Sequence, residues 1–292
     1  MVGECIIFYM PDSFIPKHPV VVSYPRMPDA FAEADLIVKF LKEKGFDPPT
    51  GSLYDEGLRA RIKQGEFDVL IAVGGDGTML RAGHLCAPLG VPILGINLGR
   101  LGFLIQIERG EWREMLERLL NGEAWIEHRM MIRAEHVRAG EIVGQWQALN
   151  ETVVSRGVNL RPVRLVASVD GRPLTTYVCD GLIAATATGS TAYALAAGGP
   201  ILPPDLRNIL LVPIAPHMSV DRAVVLAEGS SVSISVKSDN TVVSVDGQPP
   251  LPLSEDDRVD VRAAEYAAQF VRFGDPGYFY RNLNAHMNQP HL

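Results

Sequence analysis

Short β-branched runs alternate with amphipathic stretches over the first part of the chain, which is the pattern of α/β units. Residues 20–24 and 68–73 predict strands, and the second run is nearly all apolar, as expected of a strand covered on both faces. Residues 28–44 predict a helix with Gly45 as its C-cap. Its apolar positions fall mostly on one broad face: Phe31, Leu36, Val38, Phe40 and Leu41. The next predicted elements are a helix at residues 78–86, a strand at 91–96 and a helix at 111–120.

The spacing of apolar residues changes to a period of two beyond about residue 123, and this period is typical of β-strands. Residues 164–169 and 174–177 flank Asp170-Gly171, which predicts a hairpin. The remaining predicted strands are residues 231–237, residues 241–245 returning after a turn at 238–240, and residues 258–262 and 269–273.

The two periods together predict an α/β plus all-β fold. The α/β domain is predicted over residues 1–123, and a C-terminal antiparallel β-sandwich domain over residues 124–273. The chain has 292 residues, of which 47% are hydrophobic, and this is enough to give each domain a core.

Charge and cysteine content limit the possible partners and compartment. The net charge is −7 and no run of Lys and Arg forms a basic patch, so nucleic acid is not an expected partner. The odd set Cys5, Cys86 and Cys179 contains no C-x-x-C, which argues against disulfides and zinc and favours a reducing, cytoplasmic location. The apolar residues 6–10 lack a basic region before them, so they do not resemble a signal peptide. No apolar stretch approaches the roughly 20 residues that span a bilayer, so no membrane association is expected.

A glycine-rich turn follows the predicted strand at residues 68–73 and reads Gly74-Gly75-Asp76-Gly77-Thr78. Its glycines permit close backbone approach and positive φ. The N–H groups of such a turn, together with a helix N-terminus, form an anion site suited to phosphates. The turn matches neither G-x-G-x-x-G nor G-x-x-x-x-G-K-[ST], so the usual dinucleotide-binding fold and the P-loop both lack their main sequence signal.

Asp76 is unusual in a phosphate-binding turn, because a carboxylate beside anionic phosphates is unfavourable unless it has a chemical task. Two tasks fit: accepting the proton of an attacking hydroxyl, or reaching a metal ion. The structural alternative is a Gly-Asp-Gly turn that joins a strand to a helix, with Asp76 as the N-cap. The turn alone leaves these alternatives open.

The same turn resembles the GGDGT motif shared by NAD kinases, diacylglycerol and sphingosine kinases, and phosphofructokinases. Further segments narrow the resemblance to the NAD kinase family, and the match covers roughly residues 68–273. These segments are residues 97–104 (N-x-G-x-L-G-F-L), 149–151 (L-N-E), 180–183 (D-G-L-I), 188–193 (T-G-S-T-A-Y), 197–200 (A-G-G-P), 215–217 (A-P-H) and 246–248 (D-G-Q).

The resemblance implies transfer of a phosphoryl group from ATP to the adenosine-ribose 2′-hydroxyl of NAD, with Asp76 as the catalytic base. It implies that phosphates contact Gly74, Gly75, Gly77 and Thr78. It implies that NAD contacts Asp76, Gly77, Arg81, Asn150, Glu151, Arg161, Asp180, Thr191, Ala192, Tyr193, Ala194, Leu195, Ala196 and Gln248.

The resemblance also carries expectations about architecture and partners. The N-terminal domain would be Rossmann-like, residues 124–273 would be the NAD-binding domain, and residues 274–292 would pack back on the first domain. Mg²⁺ or Mn²⁺ would arrive on the ATP phosphates, without a dedicated protein metal site. Members are usually homodimers or homotetramers, which allows Asp180 to serve a neighbouring subunit.

Two other functions compete with this one. A lipid kinase of the diacylglycerol or sphingosine type also carries GGDGT, but the T-G-S-T-A-Y and L-G-F-L segments argue against it. A non-catalytic dinucleotide sensor would have no need to retain Asp76. The chain departs from the common family pattern at Ala187, where the family has Pro, and at Ala194, where it has Ser; neither change removes a group from the expected chemistry.

Overall fold

The computed structural model of the protein describes residues 14–25, 27–99, 102–217, 220–275 and 277–287. Several sequence-based predictions lie outside these residues: those for Cys5, for residues 6–10, for Arg100 and Leu101 within the segment 97–104, and for the tail beyond residue 287.

The helices are α1 (Pro28–Glu43), α2 (Glu56–Lys63), α3 (Asp76–Cys86), α4 (Trp112–Leu120), α5 (Tyr193–Ala196) and α6 (Tyr278–Met287), with short 3₁₀ turns at Ala87–Leu89 and Thr188–Thr191. The strands are β1 (Pro19–Ser23), β2 (Thr50–Ser52), β3 (Val69–Gly74), β4 (Ile93–Asn97), β5 (Ile107–Glu108), β6 (Ala124–Arg138), β7 (Glu141–Ala148), β8 (Glu151–Arg156), β9 (Val163–Val169), β10 (Arg172–Cys179), β11 (Gly181–Ala185), β12 (Leu210–Ile214), β13 (Val224–Val225), β14 (Val232–Val236), β15 (Thr241–Val245), β16 (Leu251–Leu253) and β17 (Arg258–Phe273).

The chain divides into two compact units. The first, here called the α/β unit, is drawn from the described residues of the ranges Met1–Ala82, Val91–Glu127 and Gln269–Leu292. The second, here called the β unit, is drawn from those of the ranges Gly83–Gly90 and His128–Ala268.

The α/β unit contains a parallel sheet in the order β2, β1, β3, β4 and the end of β17. Strand β3 is buried along its whole length, which explains its nearly all-apolar sequence. Side chains of β1, β3 and β4 form one core cluster with those of α1 and α4. The predicted α/β architecture is therefore confirmed.

Helix α1 forms where the sequence predicts it, with Pro28 at its start and Gly45 at positive φ after its end. The predicted buried face is partly wrong, because Phe31 and Leu36 are 42% and 49% exposed. The core stripe contains Phe40 and Leu41, as predicted, and is completed at helical spacing by Ala30, Ala34 and Ile37.

Glu33 is a charged residue on the buried face of α1. Its Oε1 accepts a hydrogen bond from Trp112 Nε1 at 2.7 Å, and its Oε2 accepts one from Arg109 Nε at 2.7 Å. The Trp112 ring packs edge-on against Phe40 in the same region. A buried carboxylate is tolerated here because both of its oxygens have donors.

The β unit is built from antiparallel strands in two sheets, one containing β10, β9, β14 and β17 in that order and the other β13, β12, β11, β8, β15 and β16. Buried residues of both sheets share one core cluster, including Leu165 and Ile234 from the first and Val154, Leu182 and Val243 from the second. This is the packing of a β-sandwich, as the sequence predicted.

Two details of the predicted strands are wrong. Residues 241–245 form β15, but β15 does not return along β14: it pairs with β8 and β16 in the other sheet, because the turn at 238–240 carries the chain between sheets. The predicted strands 258–262 and 269–273 are parts of the single strand β17. The intervening residues are mainly Ala and Glu, which favour strands weakly, so only the sheet pairing reveals the continuity.

No helix among the described residues is long and apolar enough to cross a membrane.

Candidate active site

The glycine-rich turn lies between the carboxyl end of β3 at Gly74 and the first residue of α3, Asp76. The Thr78 N–H donates to the Gly75 C=O at 2.8 Å and closes the first turn. A Cβ on Gly74 would collide with the Thr78 hydroxyl, whereas a Cβ on Gly75 would meet nothing within 4 Å. Gly74 thus permits the tight turn, and open space lies beside the Gly75 backbone at a helix N-terminus, where an anion binds favourably.

The Asp76 side chain is held by backbone N–H groups of the L-G-F-L segment. The Phe103 N–H donates to Oδ2 at 2.9 Å, and the Leu104 N–H donates to Oδ1 at 3.3 Å. A Cβ on Gly102 would collide with this carboxylate. The segment therefore needs glycine at 102 because the carboxylate occupies the space, and the two N–H donors hold both carboxylate oxygens.

Arg81 lies one turn along α3 from the glycine-rich turn. Its Nη1 donates to the Gly77 C=O at 3.0 Å, and its guanidinium lies 5.7 Å from the ring centres of Tyr24 and Tyr54. The Arg81 side chain is exposed, whereas Thr78, in the glycine-rich turn, is buried. Arg81 therefore supplies an accessible positive charge beside Gly77.

Asp246 organises the start of β8 in the β unit. Its carboxylate accepts hydrogen bonds from the N–H groups of Leu149 at 2.7 Å, Asn150 at 2.9 Å and Glu151 at 3.0 Å. His84 Nε2 lies 2.7 Å from Asp246 Oδ2. Asp246 has a positive φ of 47° in an Asp-Gly turn, so the turn directs its side chain to these donors.

The T-G-S-T segment packs directly against the Asn-Glu pair. Thr186, two residues before this segment, donates from its hydroxyl to the Leu149 C=O at 2.5 Å and from its N–H to the Asn150 C=O at 2.8 Å. A Cβ on Gly189 would collide with the Asn150 carbonyl. Two segments far apart in sequence are thereby fixed against each other in one local arrangement.

A cavity of about 630 Å³ opens beside these segments, a volume in the range of small-molecule sites. Glu151 is buried and Tyr193 is 45% exposed, and both line the cavity. The Tyr193 N–H also lies near the Glu151 carboxylate. The described residues that line it are Glu151, Val153, Ser155, Arg156, Gly157, Val158, Tyr193, Asn240, Val242, Ser244, Gly247 and Pro250.

The structure brings some of the other predicted residues of the β unit to the cavity and not others. Asp180 pairs with the cavity residue Arg156 at 3.0 Å. Arg161 and Gln248 are exposed and are not among the described residues that line the cavity. Near Tyr193, the Thr191 hydroxyl donates to the Thr188 C=O at 3.0 Å. Ala192 and Leu195 are half-buried and Ala196 is exposed. Ala194 is fully buried.

Both departures from the family pattern lie in buried positions. Ala194 packs in an apolar cluster with Ile183, Leu210 and Val212, and Ala187 belongs to the same cluster. A serine hydroxyl at 194 would need a partner in this apolar setting. Alanine at 194 therefore suits the local packing.

Sequence reasoning did not select three residues that shape these sites, namely Gly102, His84 and Asp246. Gly102 lies inside a recognised segment, but only the structure shows which side chain fills the space beside it. The Asp246-Gly247 dipeptide is typical of a turn. It does not indicate which N–H groups donate to the Asp246 carboxylate.

The described residues contain no group of three or more His, Cys, Asp or Glu side chains that could hold a metal ion. Cys86 and Cys179 are free and buried. Burial raises the pKa of the Cys86 thiol from 9.0 to about 12 and that of Cys179 to about 11, so neither is a reactive thiolate at neutral pH.

Glu151 has an unusual protonation behaviour for a carboxyl group. Burial, and secondarily the nearby Asp246 charge, raise its pKa from 4.5 to about 8, although the Tyr193 N–H acts in the opposite direction. Between pH 4.5 and 8 the unfolded chain releases this proton while the folded chain keeps it. The contribution of Glu151 to stability is therefore fully present below pH 4.5 and is lost as pH rises through 8.

We expect Glu151→Gln to flatten the pH dependence of stability. The wild type should lose up to about 1.4 kcal/mol per pH unit from this group between pH 5 and 8, and the variant should not. Urea unfolding at several pH values measures the difference. The exposed Glu141 on β7 provides the control, because Glu141→Gln should retain the wild-type slope. Equal slopes for wild type and Glu151→Gln would show that Glu151 ionises normally.

The chain has a glycine-rich turn at a helix N-terminus that carries the Asp76 carboxylate, and its β-sandwich unit contains a cavity of small-molecule size. These features are typical of a phosphotransferase of the GGDGT class. Two family models match the chain: the ATP-NAD kinase N-terminal domain over residues 41–124 and the ATP-NAD kinase C-terminal domain over residues 149–273. The chain therefore belongs to the NAD kinase family and is an enzyme of that family.

Similar proteins agree with this assignment. The NAD kinase of Heliobacterium modesticaldum is 43% identical over 234 residues, covering 80% of this chain and 82% of that relative. A crystal structure of an NAD kinase from Archaeoglobus fulgidus in complex with ATP is 26% identical, with a TM-score of 0.73, and covers 92% of this chain and 98% of that one. The crystal structure of yeast NADH kinase complexed with NADH has a TM-score of 0.80 at 24% identity, covering 95% of this chain and 90% of that one, and shows the same fold. The predicted NAD kinase function is confirmed by these similarities, and none of these relatives is a lipid kinase.

Proposed function

We propose that the chain transfers the γ-phosphoryl group of ATP to the 2′-hydroxyl of the adenosine ribose of NAD, forming NADP and ADP, with Asp76 as the general base. The observation that carries the proposed role is the Asp76 carboxylate, held by two N–H donors at the end of a phosphate-ready turn. A carboxylate beside a phosphate site fits two chemical tasks, accepting a proton or meeting a metal ion.

The proposed step is a displacement at the γ-phosphorus. Asp76 accepts the proton as the 2′-oxygen attacks, the new O–P bond forms, and the bond to the β-phosphate oxygen breaks so that ADP leaves. The backbone of Gly74, Gly75 and Gly77, with Thr78 and Arg81, binds the phosphates. The ATP substrate carries Mg²⁺ or Mn²⁺, which neutralises phosphate charge.

We assign NAD binding to the segment 124–273. Asn150 and Glu151 offer donors and acceptors to the adenosine portion, and their position is fixed by the Asp246 carboxylate and by the packing of Thr186 and Gly189. The exposed ring of Tyr193 offers a face for a base. The remaining proposed contacts are Arg161, Asp180, Thr191, Ala192, Ala194, Leu195, Ala196 and Gln248.

We further propose a cytoplasmic location and a homodimeric or homotetrameric assembly. The free, buried thiols of Cys86 and Cys179 support a reducing compartment. The family supports the assembly, in which Asp180 would serve a neighbouring subunit.

A donor-by-acceptor matrix tests the proposed reaction. ATP, other nucleoside triphosphates and polyphosphate are each offered with NAD, NADH and diacylglycerol, and the products are separated and their phosphate positions determined. We expect ATP and NAD to yield 2′-phosphorylated NAD, and diacylglycerol to remain unmodified. The NADH arm is motivated by the fold shared with yeast NADH kinase. Phosphorylated diacylglycerol, or a product modified elsewhere than at the 2′-hydroxyl, would contradict the proposal.

A further inference from the structure

Arg272 is almost completely buried in the α/β unit, with 1% of its surface exposed. Its Nε donates to Glu127 Oε2 at 2.8 Å, and its Nη1 donates to the Leu104 C=O at 3.0 Å. Its guanidinium also lies 4.9 Å from the ring centre of Tyr278. Because a buried guanidinium is unfavourable without such partners, they hold the side chain in one position.

Leu104 connects this arginine to the Asp76 carboxylate. Its carbonyl accepts from Arg272, while its own N–H and that of Phe103 donate to Asp76. Residues 102–106 lie outside the helices and strands, so no regular ladder of backbone hydrogen bonds sets their conformation. Contacts from other elements must therefore position these N–H donors.

A second contact holds the same segment against the end of β17. The Gln106 side-chain amide donates to the Phe273 C=O at 2.9 Å and accepts from the Phe273 N–H at 3.1 Å. Arg272 and Phe273 are neighbours on β17, so one strand end holds the segment at both Leu104 and Gln106. Arg272 thus bonds the carbonyl of Leu104, the residue whose N–H donates to Asp76.

Glu127 sets the orientation of the arginine. The Tyr278 hydroxyl donates to the Glu127 carboxylate and lies 3.0 Å from Oε1 and 2.9 Å from Oε2. Helix α6, which carries Tyr278, therefore holds this carboxylate in place. Tyr278 is buried, and its hydroxyl bonds the Glu127 carboxylate, whereas the Leu104 carbonyl accepts from Arg272. Tyr278 belongs to the same buried network through its bonds to Glu127 and its ring contact with Arg272, and Phe at this position leaves the Arg272–Leu104 hydrogen bond intact, which makes it a matched control.

We propose that Arg272 is a positioning residue for the catalytic base: through the Leu104 carbonyl it fixes the segment 102–106, whose N–H groups hold the Asp76 carboxylate. The inference rests on the proposed role of Asp76. The positioning role explains why a buried arginine occupies position 272, although apolar side chains in place of a buried ion pair are often neutral or stabilising. Loss of Arg272 should slow the chemical step while leaving the nucleotide-binding groups in place.

The test is steady-state kinetics of the full-length enzyme carrying Arg272→Met together with Glu127→Gln. The double variant removes both charges, so no unpaired carboxylate remains buried, yet the Leu104 carbonyl still lacks its donor. We expect kcat to fall by about 10- to 100-fold, with KM for NAD and ATP within about threefold of wild type. Tyr278→Phe should keep kcat within about twofold, because misalignment requires loss of the contact to Leu104.

Hydrogen–deuterium exchange supplies a readout that a general loss of stability would not give. In the double variant the peptide covering residues 102–106 should exchange faster, while a peptide covering β1 should exchange at the wild-type rate. Unchanged kcat in the folded double variant would overturn the inference. An equal fall of kcat in Tyr278→Phe, or faster exchange throughout the α/β unit, would do the same.

A second variant keeps the test decisive if the double variant does not fold. Arg272→Lys retains a positive charge for Glu127 but cannot serve the carboxylate and the Leu104 carbonyl with the same two-pronged geometry. We expect a several-fold lower kcat with unchanged KM, and wild-type kcat would overturn the inference. The role of Asp76 is tested separately: an active Asp76→Asn enzyme refutes the proposed base, whereas inactive Asp76→Asn with fully active Arg272 variants refutes only the positioning role.

Discussion

Replacing Asp76 by Asn should lower kcat by about 10²–10⁴-fold, the usual contribution of a positioned general base. The amide of Asn cannot accept the 2′-hydroxyl proton, whereas the NAD-binding groups assigned to residues 124–273 are unchanged. We therefore expect KM for NAD to stay within a few-fold of wild type. Initial rates with varied NAD, together with calorimetric NAD binding, separate the two quantities.

The same replacement also affects hydrogen bonding, and the experiment must account for this. Asp76 accepts one N–H on each oxygen, from Phe103 and from Leu104. Asn has one acceptor oxygen, so one of these N–H groups would face an NH₂ group, at a cost of about 1–3 kcal/mol. Urea unfolding of the variant measures that loss independently of kcat.

A matched control is available in the first turn of another helix. Asp29 is an exposed acidic residue in the first turn of α1, and Asp29→Asn removes a comparable charge from the same unit. Its kcat should equal that of wild type. If Asp76→Asn turns over at a rate close to wild type, Asp76 is not the base.

Gly102→Ala should lower kcat by roughly 100-fold, because the new Cβ would collide with the Asp76 carboxylate. The carboxylate cannot move freely, since Phe103 and Leu104 hold it. Relief of the collision must displace either the proposed base or its donors. The expected signature is a low kcat in a folded protein, measured alongside the melting temperature.

Gly110 provides the control for this substitution. A Cβ on Gly110 would meet nothing within 4 Å, and Gly110 is not among the described glycines at positive φ. Gly110→Ala should therefore leave kcat and stability near wild type. If Gly102→Ala also keeps wild-type kcat, the carboxylate does not need its described position for catalysis.

Most of the fold could be predicted from the sequence, because the period of apolar residues reports which faces are buried. Strand β3 and the glycine-rich turn were recognisable from local sequence alone. The sheet assignment of β15 was not, since β14 and β15 show the same alternation and either pairing satisfies it. Long-range pairing decides that question, and no local pattern encodes it.

The candidate site shows the same division between local and distant information. Asp76 could be singled out because its chemistry conflicts with a phosphate site unless it has a task. The donors that hold it, from Phe103 and Leu104, lie 27 and 28 residues away in the chain. Asp246 was missed as an organising residue for a similar reason, because its partners at residues 149–151 are more than 90 positions distant.

Glu33 has a consequence for how helix α1 settles on the sheet. If the buried face of helix α1 were entirely apolar, the helix could shift along its axis by one turn with little change in the apolar area that it buries. A slide of one turn, about 5.4 Å, would take the Glu33 carboxylate away from Trp112 and Arg109 and leave a charge without donors. Glu33 thus specifies one axial position of helix α1 on the sheet. The cost is a smaller contribution of this helix face to stability than an apolar residue at position 33 would give.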